Sequence, residues 1–255
     1  QLYLAACPPG RDEFVQLAED LEIQIGVKKI PIILKTKVTP ELIKKEKPDI
    51  IILATGAKPL TPSIPGIDLP HVVESWDVLQ DKVFTGKKIA IIGGGAVGVE
   101  TALFLAEKGT LSAKAIKFLL VNRAEDPETL FEMATRGTKE ITLIEMLDKM
   151  GKDIGKSTKW GMMQDLDRYN VKTMTKSKVI EITPKGLNIE IEQDGVIIHE
   201  IQADTVVVAA GSVSYNPLEP ELEKMGVEYR IAGDAKNVST AFDAVHQGYK
   251  IGLEI

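Results

Sequence analysis

Apolar residues in this chain fall into short uninterrupted runs separated by stretches of helical period. Such runs are typical of strands buried on both faces of a parallel sheet. Lys88-Ile89-Ala90-Ile91-Ile92, Ile141-Thr142-Leu143-Ile144 and Val206-Val207-Val208 are three of them, and Ile50-Ile51-Ile52-Leu53 is a fourth. Helical spacing covers Phe14 to Leu21, the stretch after residue 92 with apolar Ala102, Leu103, Leu105 and Ala106, and Met162 to Tyr169. Leu187 to Ile191 and Val196 to Ile198 flank Asp194-Gly195, which predicts a β-hairpin. The fold class is therefore α/β.

The pattern repeats. Residues 49–56 read DIIILATG and residues 204–211 read DTVVVAAG. Upstream of each lie a helix, a Val-Lys dipeptide (Val27-Lys28 and Val171-Lys172) and an apolar strand, Ile32-Ile33-Leu34 in one case and Val179 to Ile182 in the other. Two similar units are implied. Prolines 59, 62, 65 and 70 mark a crossing between them, and a second crossing follows Gly211. The expected division is 1–82, 83–210 and 211–255.

Only one glycine fingerprint is present, Gly93-Gly94-Gly95-Ala96-Val97-Gly98, directly after the strand ending at Ile92 and before a helix. Strand, glycine turn and helix in that order form a dinucleotide-binding unit. Gly93 permits the tight turn, Gly95 lets a pyrophosphate approach the backbone, and Gly98 lets the helix pack closely on the strand. The helix start supplies N–H groups and a positive dipole end for the phosphates. Glu145, at the end of the next strand, is placed to accept both ribose hydroxyls and to repel a 2′-phosphate, which predicts NADH over NADPH. Glu145 lies 145 − 98 = 47 residues beyond Gly98, against a usual spacing of about 20. Residues 109–139 supply the excess and read as helical, with Asp126-Pro127 a cap and first-turn pair. At the other strand end Gly211, like Gly56, leaves room for a flat ring or a crossing chain.

Composition narrows the function classes. The 255 residues are 44% hydrophobic and 27% charged, with a formal net charge of −6, which disfavours a general nucleic-acid or anionic-membrane surface. The apolar runs are far shorter than a membrane helix requires, and a cytoplasmic setting is the default expectation. A single cysteine, Cys7, excludes an intrachain disulfide or CxxC redox pair, and His71, His199 and His246 are too scattered for a zinc site. No metal site and no catalytic side chain is nominated.

Taken together these residues resemble the two-dinucleotide-binding flavoprotein reductases. Ile231-Ala232-Gly233-Asp234 is similar to the family's second FAD signature, and Ala241 to Gly248 is similar to the helix whose N-terminus faces the flavin. The resemblance implies a Rossmann-like NAD(P)H-binding domain inserted in an FAD-binding domain, with Thr55, Gly56, Gly233, Asp234 and Ala244 against FAD. A narrower resemblance, to the Old Yellow Enzyme-related 2,4-dienoyl-CoA and 2-enoate reductases, rests on Gln1 to Ala6, Pro8 to Phe14, Gly155 to Trp160 and Gly248 to Ile255. It implies an electron-input module passing hydride from NADH to FAD. The same resemblance places FMN, substrate and an iron–sulfur cluster in an N-terminal barrel domain lacking from these residues.

Carrying the second unit's spacing over to the first puts the absent fingerprint roughly 24 residues before Gln1. On that expectation the FAD-binding domain is truncated, and the chain alone binds NADH weakly, holds little FAD and is inactive. Two other readings stay open. One is an NADH oxidase or ferredoxin-type flavoprotein reductase, which would share these motifs. The other is a non-catalytic NAD-binding module, which gives Gly233-Asp234 no purpose. Substrate and oligomeric state are not legible.

Overall fold

Five parallel strands lie in the order Val72–Glu74, Thr205–Val208, Lys88–Ile92, Glu140–Ile144, Lys172–Met174. This is a parallel α/β sheet in a computed structural model that describes residues 1–192 and 196–255. The expected turn at Asp194-Gly195 lies outside the described residues. The described chain divides into two units: Gln1–Tyr3, Glu13–Leu60 and Ser212–Ile255 form one, and Leu4–Asp12 with Thr61–Gly211 the other. They are called the split unit and the sheet unit below.

The period of two along strand Lys88–Ile92 explains the layers of the sheet unit. Ile89 and Ile91 point to one face, packed with Val99, Ala102, Leu103 and Leu105 of helix Ala96–Ala106 and with Leu166 of helix Lys156–Arg168. Ala90 and Ile92 point to the other, against Val179, Ile182, Leu187 and Ile189. Those four belong to an antiparallel sheet of Ser177–Thr183, Gly186–Glu192 and Val196–Gln202. The central strand is thus sandwiched between helices and a second sheet, so its side chains are apolar on both faces.

Residues 61–82, grouped on sequence with the first part of the chain, contribute strand Val72–Glu74 and helix Ser75–Leu79 to the sheet unit. Val206 and Val72 are register partners, and Val78 is almost fully buried. The 109–139 segment forms helices Ala113–Val121 and Pro127–Thr135. Ser112 and Asp126 cap them through side-chain oxygens, the first accepting from Ala115 N–H at 3.3 Å and the second from Glu128 N–H at 3.0 Å. Leu130 and Thr135 anchor the second helix, whereas the first buries no residue.

In the split unit, strand Ile51–Leu53 pairs parallel with Tyr229–Ile231, and Ala57–Pro59 pairs antiparallel with Ser212–Ser214. Its buried core is Ile43, Leu53 and Leu222. Helices Glu13–Val27 and Ala241–Glu254 bury no residue. The strand expected at Ile32-Ile33-Leu34 is absent, and all three side chains are exposed. An isolated extended segment gains no ladder hydrogen bonds, and no described strand pairs with it.

Candidate functional site

The neighbours of Lys88–Ile92 are Thr205–Val208 on one side and Glu140–Ile144 on the other. Chain connections reverse direction across the sheet at the first of these boundaries, the switch point beyond whose carboxyl ends ligands settle in open α/β sheets. Gly93 to Gly98 lie at that point. Gly93 N–H donates to Ile144 C=O at 2.9 Å, and Ala209 N–H donates to Ile92 C=O at 2.8 Å. Gly93 has φ +105°, and a Cβ there would run into the Ala209 carbonyl. Gly98 has an ordinary backbone but no room: a Cβ would strike the Gly93 carbonyl and lie 3.5 Å from Leu143 Cδ1. Gly211, φ +95°, follows the neighbouring strand.

The N–H groups of this turn already hold carboxylates. Gly94 N–H donates to Glu145 Oε2 at 2.7 Å, and Ala96 N–H donates to Asp153 Oδ1 at 2.8 Å. Leu147 N–H donates to Glu145 Oε1 at 2.8 Å. Glu145 is buried to 9% exposure, whereas Asp153 is exposed. Gly95 caps helix Ala96–Ala106 without a side-chain hydrogen bond, so the first helical amides look outward for an acceptor. The Asp153 carboxylate is a stand-in oxyanion there, and the turn fits the phosphate of a dinucleotide on that ground.

Thr55, Gly56, Gly233, Asp234 and Ala244 gather in the split unit. Thr55 Oγ1 meets the Tyr215 carbonyl and lies 3.2 Å from Asn216 Oδ1, while Tyr215 N–H donates to Gly56 C=O at 3.0 Å. Asp234 Oδ1 accepts from Ser239 N–H at 3.1 Å. A Cβ on Gly233 would lie 3.2 Å from Ala244 Cβ. The Gln1 carboxamide bridges Ala57 N–H, at 3.0 Å, and Asp234 Oδ2, at 2.9 Å. A flat polar group therefore fits between the strand end and Asp234. The structure thus sorts the predicted residues into two sets, one in each unit.

The model of the pyridine nucleotide-disulphide oxidoreductase family matches residues 8–243. The chain belongs to that family. The family uses FAD and NAD(P)H, and its relatives are oxidoreductases. The chain is 41% identical over its whole length to a metal reductase of Desulforamulus reducens and covers 38% of that protein. It is 31% identical to an NADH oxidase of Thermoanaerobacter brockii, covering all of this chain and 35% of that one. Among solved structures, a 2-naphthoyl-CoA reductase in complex with 2-naphthoyl-CoA superposes with a TM-score of 0.81 and 28% identity, covering the whole chain and 34% of the reductase. The chain thus spans little more than a third of the length of these relatives. The disulphide in the family's name has no dithiol here to serve it, since Cys7 is the sole cysteine.

Sequence reasoning missed three charged residues at the turn. Glu100, two residues past Gly98, pairs with Arg11 Nη2 at 2.7 Å. Burial pushes its carboxyl above the usual range even though Arg11 pulls the other way, because loss of water outweighs one partner. Asp153 adds to that rise. Proximity to the fingerprint could have flagged Glu100; nothing local marked Arg11 or Asp153. No helix is long and apolar enough to cross a membrane, and no cluster of three or more potential metal ligands occurs among the described residues.

Proposed function

We propose that the chain is the electron-input module of a flavin-dependent oxidoreductase, with NADH on the Gly93 to Gly98 turn and FAD against Thr55, Gly56, Gly233, Asp234 and Ala244. The observation that carries this reading is the anion-holding turn at the sheet's switch point. The sheet unit, residues 4–12 and 61–211, then serves the nicotinamide cofactor, and the split unit, residues 1–3, 13–60 and 212–255, the flavin. Bound together, the two cofactors supply hydride transfer between nicotinamide and flavin; the chain supplies orientation and water exclusion, and no side chain need act as acid or base.

The turn's amides and helix dipole hold the pyrophosphate, Gly98 fixes the distance between helix and strand, and Glu145 receives the ribose hydroxyls. Glu145 would accept those hydroxyls on its remaining lone pairs while keeping its bonds to Gly94 and Leu147 N–H. The acceptor that this module would serve is held outside these residues. An enoate or enoyl-CoA double bond in a barrel domain carrying FMN and an iron–sulfur cluster is our first choice, supported by the likeness to 2-naphthoyl-CoA reductase. The likeness to an NADH oxidase supports oxygen as the alternative acceptor. A non-catalytic NAD module is disfavoured because it leaves the set around Asp234 without a task.

Calorimetric titration with NADH and NADPH tests the reading. NADH binding more tightly is the expected result; tighter NADPH overturns the role of Glu145, and no binding of either overturns the role of the turn.

A further inference from the structure

One segment of the sheet unit lies over the glycine turn itself. Residues 146–155 run from the end of strand Glu140–Ile144 to the start of helix Lys156–Arg168. Gly151 N–H donates to Gly94 C=O at 2.6 Å, and the buried Met150 side chain fills the space a side chain on Gly94 would need. Ile154 packs against the helix-side core. These contacts hold Asp153 where its carboxylate reaches Ala96 N–H and where its oxygens would lie 3.1 and 3.3 Å from a Cβ on Gly95. The room that Gly95 leaves is therefore filled by a carboxylate of the same chain.

On the reading that this turn binds a dinucleotide, we infer that Asp153 is a built-in competitor for the pyrophosphate. Nucleotide binding is then an exchange of one anion for another at the first turn of helix Ala96–Ala106. Three observations carry this. The Ala96 amide is among those a pyrophosphate uses at a helix start, and it already has an acceptor. Of the two carboxylates on the turn, Glu145 is buried and doubly bonded to backbone, whereas Asp153 is exposed and can swing into water at little desolvation cost. Glu100 and Glu145 add negative charge to the same corner, and Arg11 is committed to Glu100. A pyrophosphate that arrived without displacing Asp153 would meet its carboxylate at the Ala96 amide.

The test compares the wild-type protein with Asp153→Asn and Asp153→Ala by NADH calorimetry and by thermal melts without nucleotide. Asn keeps the accepting oxygen and removes the charge; Ala removes both. D153N is expected to bind NADH about tenfold more tightly, the size of one charge favourably placed at a helix N-terminus. The unliganded protein should melt slightly lower, because the helix loses its anion. A residue that merely shapes the loop would lower both affinity and stability, so tighter binding is the deciding result. Equal affinity in D153N, or weaker binding by both variants, overturns the inference and leaves the nucleotide site standing. Absence of NADH binding by all three proteins overturns the site, and the inference with it.

Discussion

Both units end a parallel strand on small residues, Ala54-Thr55-Gly56 in the split unit and Ala209-Ala210-Gly211 in the sheet unit, yet the surroundings of the two ends differ sharply. Strand Thr205–Val208 is buried at every position, flanked by Val72–Glu74 and Lys88–Ile92. Strand Ile51–Leu53 has one buried residue and one neighbour, Tyr229–Ile231. A shared motif thus sits in a two-sided core in one place and in a core of three buried residues in the other. The motif marks a strand end in both units. Independent stability comes from what covers it, because only removal of apolar surface from water offsets the entropy of ordering the chain.

The contrast is broken most directly by unfolding. Denaturation followed by fluorescence and amide exchange is expected to show two transitions, the split unit opening first. Leu143→Ala, at a fully buried site beside Gly98, should lower the second transition by about 2–5 kcal/mol. Leu222→Ala should act on the first transition alone, since Leu222 packs with Ile43 and Leu53. A single transition moved equally by both substitutions would show the units to be one cooperative body.

A smaller effect sharpens the site. Gly98→Ala adds a methyl where the Gly93 carbonyl stands, and overpacking of this kind costs about 1–3 kcal/mol. NADH affinity should fall with it, because the helix must retreat from the strand whose end it serves. Gly211→Ala meets no atom within 4 Å, so its cost should be only that of its positive φ, about 1 kcal/mol. Calorimetry and urea melts on the two variants read both quantities. Glu145→Ala removes an acceptor from the Gly94 and Leu147 amides. It should weaken NADH binding about tenfold, the value of one charge-assisted hydrogen bond, while narrowing the gap to NADPH.

How much of this was legible in the sequence follows from how local each signal is. Strand Lys88–Ile92, the turn after it and the cap at Asp126-Pro127 are decided within a few residues, and each appears where the pattern placed it. Ile32-Ile33-Leu34 has the composition of a strand, but a strand is a pairing and composition cannot supply the partner. Residues 61–82 looked like a proline-rich crossing. Their membership of the sheet unit depends on Val72 meeting Val206 across 134 residues of chain, which no window reads. At the site, the glycines were visible from their spacing after a strand, and Glu145 from its place at the end of the next strand despite lying 47 residues beyond Gly98. Asp153 was not, since its contact with Ala96 spans 57 residues and depends on the path of segment 146–155.

The smallest expected effect concerns Glu100, whose ionisation couples the turn to pH. Its carboxyl is raised above the ordinary glutamate value first by burial, with Arg11 opposing through charge and hydrogen bond. Folding therefore favours the protonated form. The stability this contributes is fully present below the unfolded value near 4.5 and is lost as pH rises through the folded value. Glu100→Gln, neutral at every pH, should match the wild type at low pH and overtake it as the wild-type carboxylate ionises. Arg11→Ala should steepen the wild-type loss, since the group holding the carboxylate's charge is gone. Thermal melts of the three proteins from pH 4 to 8 give the comparison. A gap that closes instead of opening with rising pH would mean that Arg11 outweighs burial. The acidic corner around Ala96 would then be less crowded with uncompensated charge than the geometry of Glu100, Glu145 and Asp153 indicates.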